Sequence, residues 1–271
     1  MNSTFQITTK LFRRSISIAI ILMTAVFMTA CATVPVTGRS QLLLVNEQQE
    51  IALGIKSYNQ ILEKARLSRD RDVIDMVNRV GRRIAAAANR PDYDWEFNVI
   101  DEDKTANAFA LPGGKIAVYT GILPYTRTES GLAFVLAHEV GHAIARHGGE
   151  RMSQQLLIQL GQEGLNIAIG SKSPAAIQAV NQAYGVASQI GIILPFSRQQ
   201  EYEADHIGLI LMAKAGYDPR QAPDFFKRMA ADKKQTGPPT FLSTHPADAL
   251  RIQTLYELIP EALQYYRPAG Q

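Results

Sequence analysis

The sequence predicts an α+β fold, mainly helical, with a small antiparallel or mixed sheet set beside a helix that carries two histidines. Three observations predict it. Apolar residues recur at helical spacing, as in Val73, Val77, Val80 and Ile84. Two short β-type runs, "WEFNVI" (95–100) and "KIAVYTG" (115–121), bracket the turn "LPGG" (111–114). A helix of roughly twenty residues then follows, carrying "FVLAHEVGHAIARH" (134–147). With 271 residues, 46% of them hydrophobic, the chain can bury one sizeable core.

Residues 1–30 read as a lipoprotein signal peptide. Lys10, Arg13 and Arg14 form a positive start, "SISIAIILMTAVFM" an apolar stretch, and small residues precede Cys31, the single cysteine. Cys31 is therefore the candidate lipidation site, against the plainer reading of an ordinary buried thiol. Without those thirty residues, 25 basic and 25 acidic residues remain. A neutral chain gives no reason to expect nucleic acid as a partner, so the lipid, not the charge, would hold the protein at a membrane.

Residues 31–45 read as a lipidated tether rich in Pro, Gly and Thr. Residues 46–265 form the expected catalytic domain. Asn46 with Gln49 resembles a capping box opening a helix to about Ala65, and the valine-rich helix follows, ending near Pro91. After Gly148 and Gly149 the composition changes. Residues 152–189, poor in charge, read as a helical hairpin and a candidate lid. A helix over 198–215 ends at Gly216, and two further helices are expected over 219–230 and 248–258, joined by a loop.

The chemistry lies in "HEVGH". Helix positions four apart share a face, so His138 and His142 can converge on one ion, while Glu139 stands to the side where a general base is needed. An ordinary amphipathic helix that happens to contain histidine would look the same. A catalytic zinc site takes three protein ligands. The possible third ones are His147, His206, His245 and several carboxylates. His147, five residues past His142, is turned off the ligand face and is expected at the surface. In "SRQQEYEADHIG" (197–208), Glu201 and Asp205 share a face and Glu203 points nearly opposite. Glu201 can take the metal while Asp205 accepts a hydrogen bond from a ligand histidine. A solvated acidic helix start is the competing explanation.

"HEVGH" followed 59 residues past His142 by "EYEAD" resembles the HtpX-like and CAAX-prenyl-protease-like zinc metallopeptidases, gluzincins whose third ligand is the Glu of an E-x-x-x-D motif. "NAFALPGGKIAVYTGIL" (107–123) and "STHPADALRI" (243–252) resemble further family segments. The lipoprotein-like start resembles the periplasmic branch of BepA-like and LoiP-like proteases. The transmembrane helices of integral members are not expected here, nor a TPR extension, since the sequence stops at Gln271.

The resemblance implies one Zn²⁺ per chain on His138, His142 and Glu201, with Asp205 behind a ligand and Glu139 as base. It further implies His245 as the oxyanion donor, supported by Arg251, and 107–110 (Asn107, Ala108, Phe109, Ala110) as the edge strand that receives substrate. The implied function is a zinc endopeptidase acting on unfolded or misassembled envelope proteins, lipid-anchored in a bacterial envelope. Ala32 after Cys31 suits an outer membrane, facing the periplasm. Expected partners are polypeptide substrates, the membrane and envelope assembly machinery. The alternative is a chaperone-like assembly factor using the same groove with little proteolysis.

Overall fold

A computed structural model describes residues 31–169, 197–231, 239–246 and 248–268. The expected signal peptide and the part of the expected lid beyond residue 169 lie outside the described residues. Among the described residues no helix is long and apolar enough to cross a membrane.

The α+β expectation holds. A hairpin of β1 (Cys31–Thr33) and β2 (Ser40–Leu42) opens the described chain. Helices α1 (Glu47–Lys64) and α2 (Arg71–Ala88) follow. Each begins at a side chain that accepts from the first turn, Asn46 from the Gln49 amide and Asp70 from those of Asp72 and Val73. Helix α2 ends not at Pro91 but at Asn89, whose left-handed conformation (φ 50°) turns the chain out of the helix.

Strands β3 (Glu96–Ile100), β4 (Ala108–Leu111) and β5 (Lys115–Tyr119) form a mixed sheet in the order β3-β5-β4. Strand β5 pairs parallel with β3 and antiparallel with β4, which is left as an edge. Alternation assigns the two faces. Ile116 and Val118 join the main core, whereas Ala117 and Tyr119 turn with Phe109 and Leu111 toward Tyr58 of α1. The Tyr58 hydroxyl donates to the Ile116 carbonyl at 2.6 Å, tying α1 to the central strand.

After a short helix α3 (Leu123–Thr126), helix α4 (Glu129–Ile144) starts at Thr128, whose side chain accepts from the Gly131 amide. Every residue from Gly131 to Ala143 is buried, so α4 is a core helix rather than a surface one. Helix α5 (His147–Ile169) begins almost at once, followed by α6 (Arg198–Lys214), α7 (Ala222–Ala230), α8 (Thr240–Thr244) and α9 (Ala249–Leu263). Helices α4 and α6 cross closely because glycine stands on both sides. A Cβ at Gly141 would sit 2.9 Å from the Ala204 carbonyl oxygen, and one at Gly208 would sit 3.0 Å from the His138 nitrogen.

Three expectations change. The supposed tether contains the β1–β2 hairpin, docked by its side chains on α5 and α6. The histidine helix, expected to run for about twenty residues, breaks already at Arg146 (φ 57°), and Gly148 and Gly149 fall inside the first turn of α5. The loop expected before the last helix contains α8, and that last helix runs on to Leu263.

Candidate metal centre

Helix α4 brings His138 and His142 to one point from one face, with their Nε2 atoms 3.1 Å apart. Helix α6 faces them. Its capping box, Ser197 with Gln200, opens the helix so that Glu201 stands in the first turn, aimed at both rings. Glu201 lies 3.3 Å from His142 Nε2 and 3.5 Å from His138 Nε2. From the chain's end, His245 places Nδ1 3.1 Å from His138 Nε2 and 3.0 Å from Glu201 Oε1. One ligand atom from each of these four buried residues lies within 4.8 Å of the others.

Support for His138 comes from the same face of α6. Asp205 meets His138 Nδ1 at 2.9 Å, and Arg251 binds that carboxylate through Nε at 2.6 Å and Nη2 at 2.8 Å. Arg251 Nη1 also lies 2.5 Å from Glu201 Oε2. This guanidinium therefore supports two carboxylates; its expected role behind His245 is corrected to one behind Asp205 and Glu201. A carboxylate on Nδ1–H leaves the His138 Nε2 lone pair facing the cluster.

Burial and charge oppose each other here. Burial would raise Glu201 and Asp205, but Arg251 and the neighbouring histidines outweigh it and hold both below the usual carboxylate range, Glu201 well below. Burial pushes His142 well below the usual imidazole value, which keeps it neutral, as a ligand must be. His245 is held up instead, because the Glu139 and Glu201 carboxylates overcome its burial. Glu139 is raised by burial, which the nearby histidines only partly offset. One of its oxygens, Oε2, accepts from the Ala110 amide at 3.1 Å. The other, Oε1, is buried without a hydrogen bond, its nearest ionic neighbour being His245 Nε2 at 3.3 Å.

These observations fit a divalent zinc ion. Imidazole nitrogens and a carboxylate oxygen are its usual donors, and Glu139 Oε1 beside them is a buried acceptor among the described residues that lacks a donor. Of the expected site residues, His138, His142, Glu139, Glu201, Asp205, His245 and Arg251 are brought together. Ala108, Phe109 and Ala110 lie on the edge strand, with Asn107 immediately before it. Cys31 opens β1, far along the chain from the cluster. His206 pairs with Glu261 at 2.8 Å, away from it.

His147 is the residue that sequence reasoning misplaced. It is fully buried, its Nδ1 2.8 Å from His142 Nδ1 and its Nε2 3.1 Å from Glu203. Glu203 in turn accepts from Arg39 Nε at 2.7 Å and from the Thr37 hydroxyl at 3.1 Å. Burial alone would raise its carboxyl, yet His147 and Arg39 together bring it down to about 2. Arg39 also grips Glu150 through two nitrogens at 2.7 and 2.8 Å. The overlooked signal was Glu203 itself. An acidic residue opposite the Glu201/Asp205 face means that α6 carries partners on two sides, which a solvated helix start does not explain.

A family model for Peptidase family M48 matches residues 74–259. "Mitochondrial metalloendopeptidase OMA1" of Schizosaccharomyces pombe is 42% identical over 187 residues, covering 69% of this chain and 53% of the relative. The protein of that name from Saccharomyces cerevisiae is 32% identical over 250 residues, covering 86% and 70%. "Beta-barrel assembly-enhancing protease" of Escherichia coli K12 is 30% identical over 231 residues, covering 83% and 47%. The chain thus spans about half the length of several curated relatives it matches. These relatives correct one expectation. Proteins named mitochondrial, from two yeasts, Arabidopsis thaliana and Danio rerio, match this chain at 32–42% identity, which overturns the placement as a bacterial outer-membrane lipoprotein facing the periplasm.

Proposed function

The chain belongs to peptidase family M48, and from that premise we propose that it is a zinc-dependent endopeptidase of the OMA1 kind, cleaving unfolded or misassembled polypeptides. The observation that carries this reading is the meeting of His138, His142 and Glu201 beside Glu139, with Glu139 against an open strand edge.

His138, His142 and Glu201 would hold the ion. Zinc bound there would supply Lewis acidity, polarising the scissile carbonyl and acidifying the attacking water. Glu139 takes a proton from the attacking water and returns it to the leaving amine. Its raised affinity for protons, a consequence of burial, suits a base that must also act as an acid. His245, whose ring reaches both Glu139 and Glu201, donates to the developing oxyanion.

Substrate binds along β4. The Ala110 amide points away from β5, toward Glu139, so the backbone groups of Ala108 and Ala110 share the free edge of the sheet. An extended peptide adding there is read through its main chain, as suits unfolded chains of varied sequence. Asn107, with a side-chain oxygen that lacks a hydrogen bond among the described residues, stands ready at the strand's start. A cavity of about 270 Å³ lined by Ala110, Pro112, His142, Arg146 and Met152 can take a substrate side chain beside the cut.

Zinc content and casein cleavage, measured together, test this reading. Glu139→Gln should keep its zinc and lose at least about 10²–10⁴-fold in cleavage, the usual worth of a general base. Glu201→Ala should lose both. Zinc retained by Glu201→Ala would remove it from the ligand set. Full function of Glu139→Gln in the cell would favour a holder of unfolded chains over a protease.

A further inference from the structure

We propose that Arg39, Glu203 and His147 form a hydrogen-bond relay that sets the tautomer of His142, which makes the N-terminal hairpin a positioning part of the metal site. The inference rests on the zinc reading above and extends it to residues far from the cluster in sequence.

Counting protons along the relay fixes the direction of each bond. Glu203 can only accept, and Arg39 Nε and the Thr37 hydroxyl both donate to its Oε1. Its other oxygen, Oε2, lies 3.1 Å from His147 Nε2. That nitrogen must therefore carry the proton, since two buried acceptors facing each other would repel. In a neutral imidazole the remaining nitrogen is then an acceptor. His147 Nδ1, 2.8 Å from His142 Nδ1, thus requires the proton between them to sit on His142. His142 is left with its lone pair on Nε2, the atom that faces His138 Nε2 and Glu201, three acceptors whose mutual repulsion a cation held between them would offset.

The backbone is shaped for this contact. In a continuous helix a residue five positions on is rotated by about 140°, so His147 could not meet His142. The chain leaves α4 at Arg146, a non-glycine residue with φ 57°, and this break turns His147 back onto the ring it supports. Arg146 is held there by ion pairing with Glu50 and by the Val45 carbonyl at 3.2 Å. The hairpin closes the arrangement from outside: Gln41 donates to the Ala145 carbonyl at 2.8 Å, and Arg39 joins Glu150 of α5 to Glu203 of α6.

Two measurements on the full chain decide it. In long-range ¹H–¹⁵N spectra of the metal-free protein, whose five histidines are few enough to assign, His142 should carry its proton on Nδ1 and His147 on Nε2. A His142 protonated on Nε2 overturns the relay. Zinc affinity is then compared by chelator competition, with folding followed by circular dichroism. His147→Phe keeps the ring but has no acceptor, and should weaken zinc by about 10–100-fold, the usual effect of losing a partner behind a ligand. His147→Asn restores an acceptor and should recover most of that loss. Unchanged zinc affinity in His147→Phe, or equal losses in both variants, overturns the proposal in favour of mere packing. Should His147→Phe fail to fold, the wild-type spectra alone decide between relay and packing. A wild type that binds no zinc would instead sink the zinc reading, while the spectra would still judge the relay.

Discussion

The two histidines of α4 are supported from opposite ends of the chain, and the supports differ in depth. Behind His138 stands a carboxylate, Asp205, and behind that Arg251 from α9, both almost sealed from solvent. Behind His142 stands a second imidazole, then Glu203, then Arg39 from the N-terminal hairpin, whose side chain is 18% exposed. Each arm ends in a guanidinium and each presents an acceptor to Nδ1. The C-terminal arm is short, buried and strongly charged, and it also touches Glu201, the proposed third ligand. The N-terminal arm is one residue longer and reaches the surface. The difference teaches that one requirement, an Nδ1 acceptor, can be met by a rigid charge pair or by a longer chain of hydrogen bonds open to solvent at its end.

That contrast predicts a ranking. Arg251→Met should be the most damaging change, because it leaves Asp205 and Glu201 buried without their cation. A loss of about 3–5 kcal/mol in denaturant unfolding is expected. Stability within about 1 kcal/mol of wild type would show that the arm is not the charge-dependent one. Asp205→Asn should come next, weakening zinc by about 10–100-fold in chelator competition with the fold kept. The amide can still accept from His138, but it turns a neutral group toward Arg251. Arg39→Met should be mildest, about 1 kcal/mol in the same unfolding experiment, since water reaches this arginine, 18% exposed, and can replace part of what it supplies. Added salt should narrow the gap between Arg39→Met and wild type and leave that of Arg251→Met nearly unchanged. Equal salt sensitivity in the two variants would erase the distinction drawn between the arms.

The same contrast separates what was legible from what was not. Asp205 could be read from the sequence because it stands four residues from Glu201, on one helix face, and helical geometry carries that inference without any knowledge of the fold. The capped start of α1, the start of α6 at Arg198, and the strand–turn–strand of 96–119 were legible for the same local reason. His147 was not. Its placement depends on a single left-handed residue, Arg146, and a non-glycine residue gives little notice of such a conformation. Counting at about 100° per residue pointed His147 to the surface because the helix was assumed to continue. Arg39 was equally hidden: a short run with Pro and Gly reads as tether unless the partners of its arginine are known. Arg251 was drawn into the site by resemblance, yet its true contacts are the carboxylates of α6, which only packing could reveal.

By itself, the sequence determined the fold class, the pairing of His138 with His142, the common face of Glu201 and Asp205, and the place of Glu139 beside the two histidines. All of these follow from helical or strand patterning, a property of a few consecutive residues. Only the tertiary structure decided how α4 and α6 approach, glycine against backbone on both sides, and so whether those two faces meet at all. It alone decided that His245 joins the cluster, that Arg251 stabilises two carboxylates, and that His147, Glu203 and Arg39 stand behind His142. These contacts link residues from 5 to 164 positions apart in the chain. The physical reason is that buried polar groups must find partners wherever folding brings them, and which partner is in reach is a property of the packed chain, not of its local order.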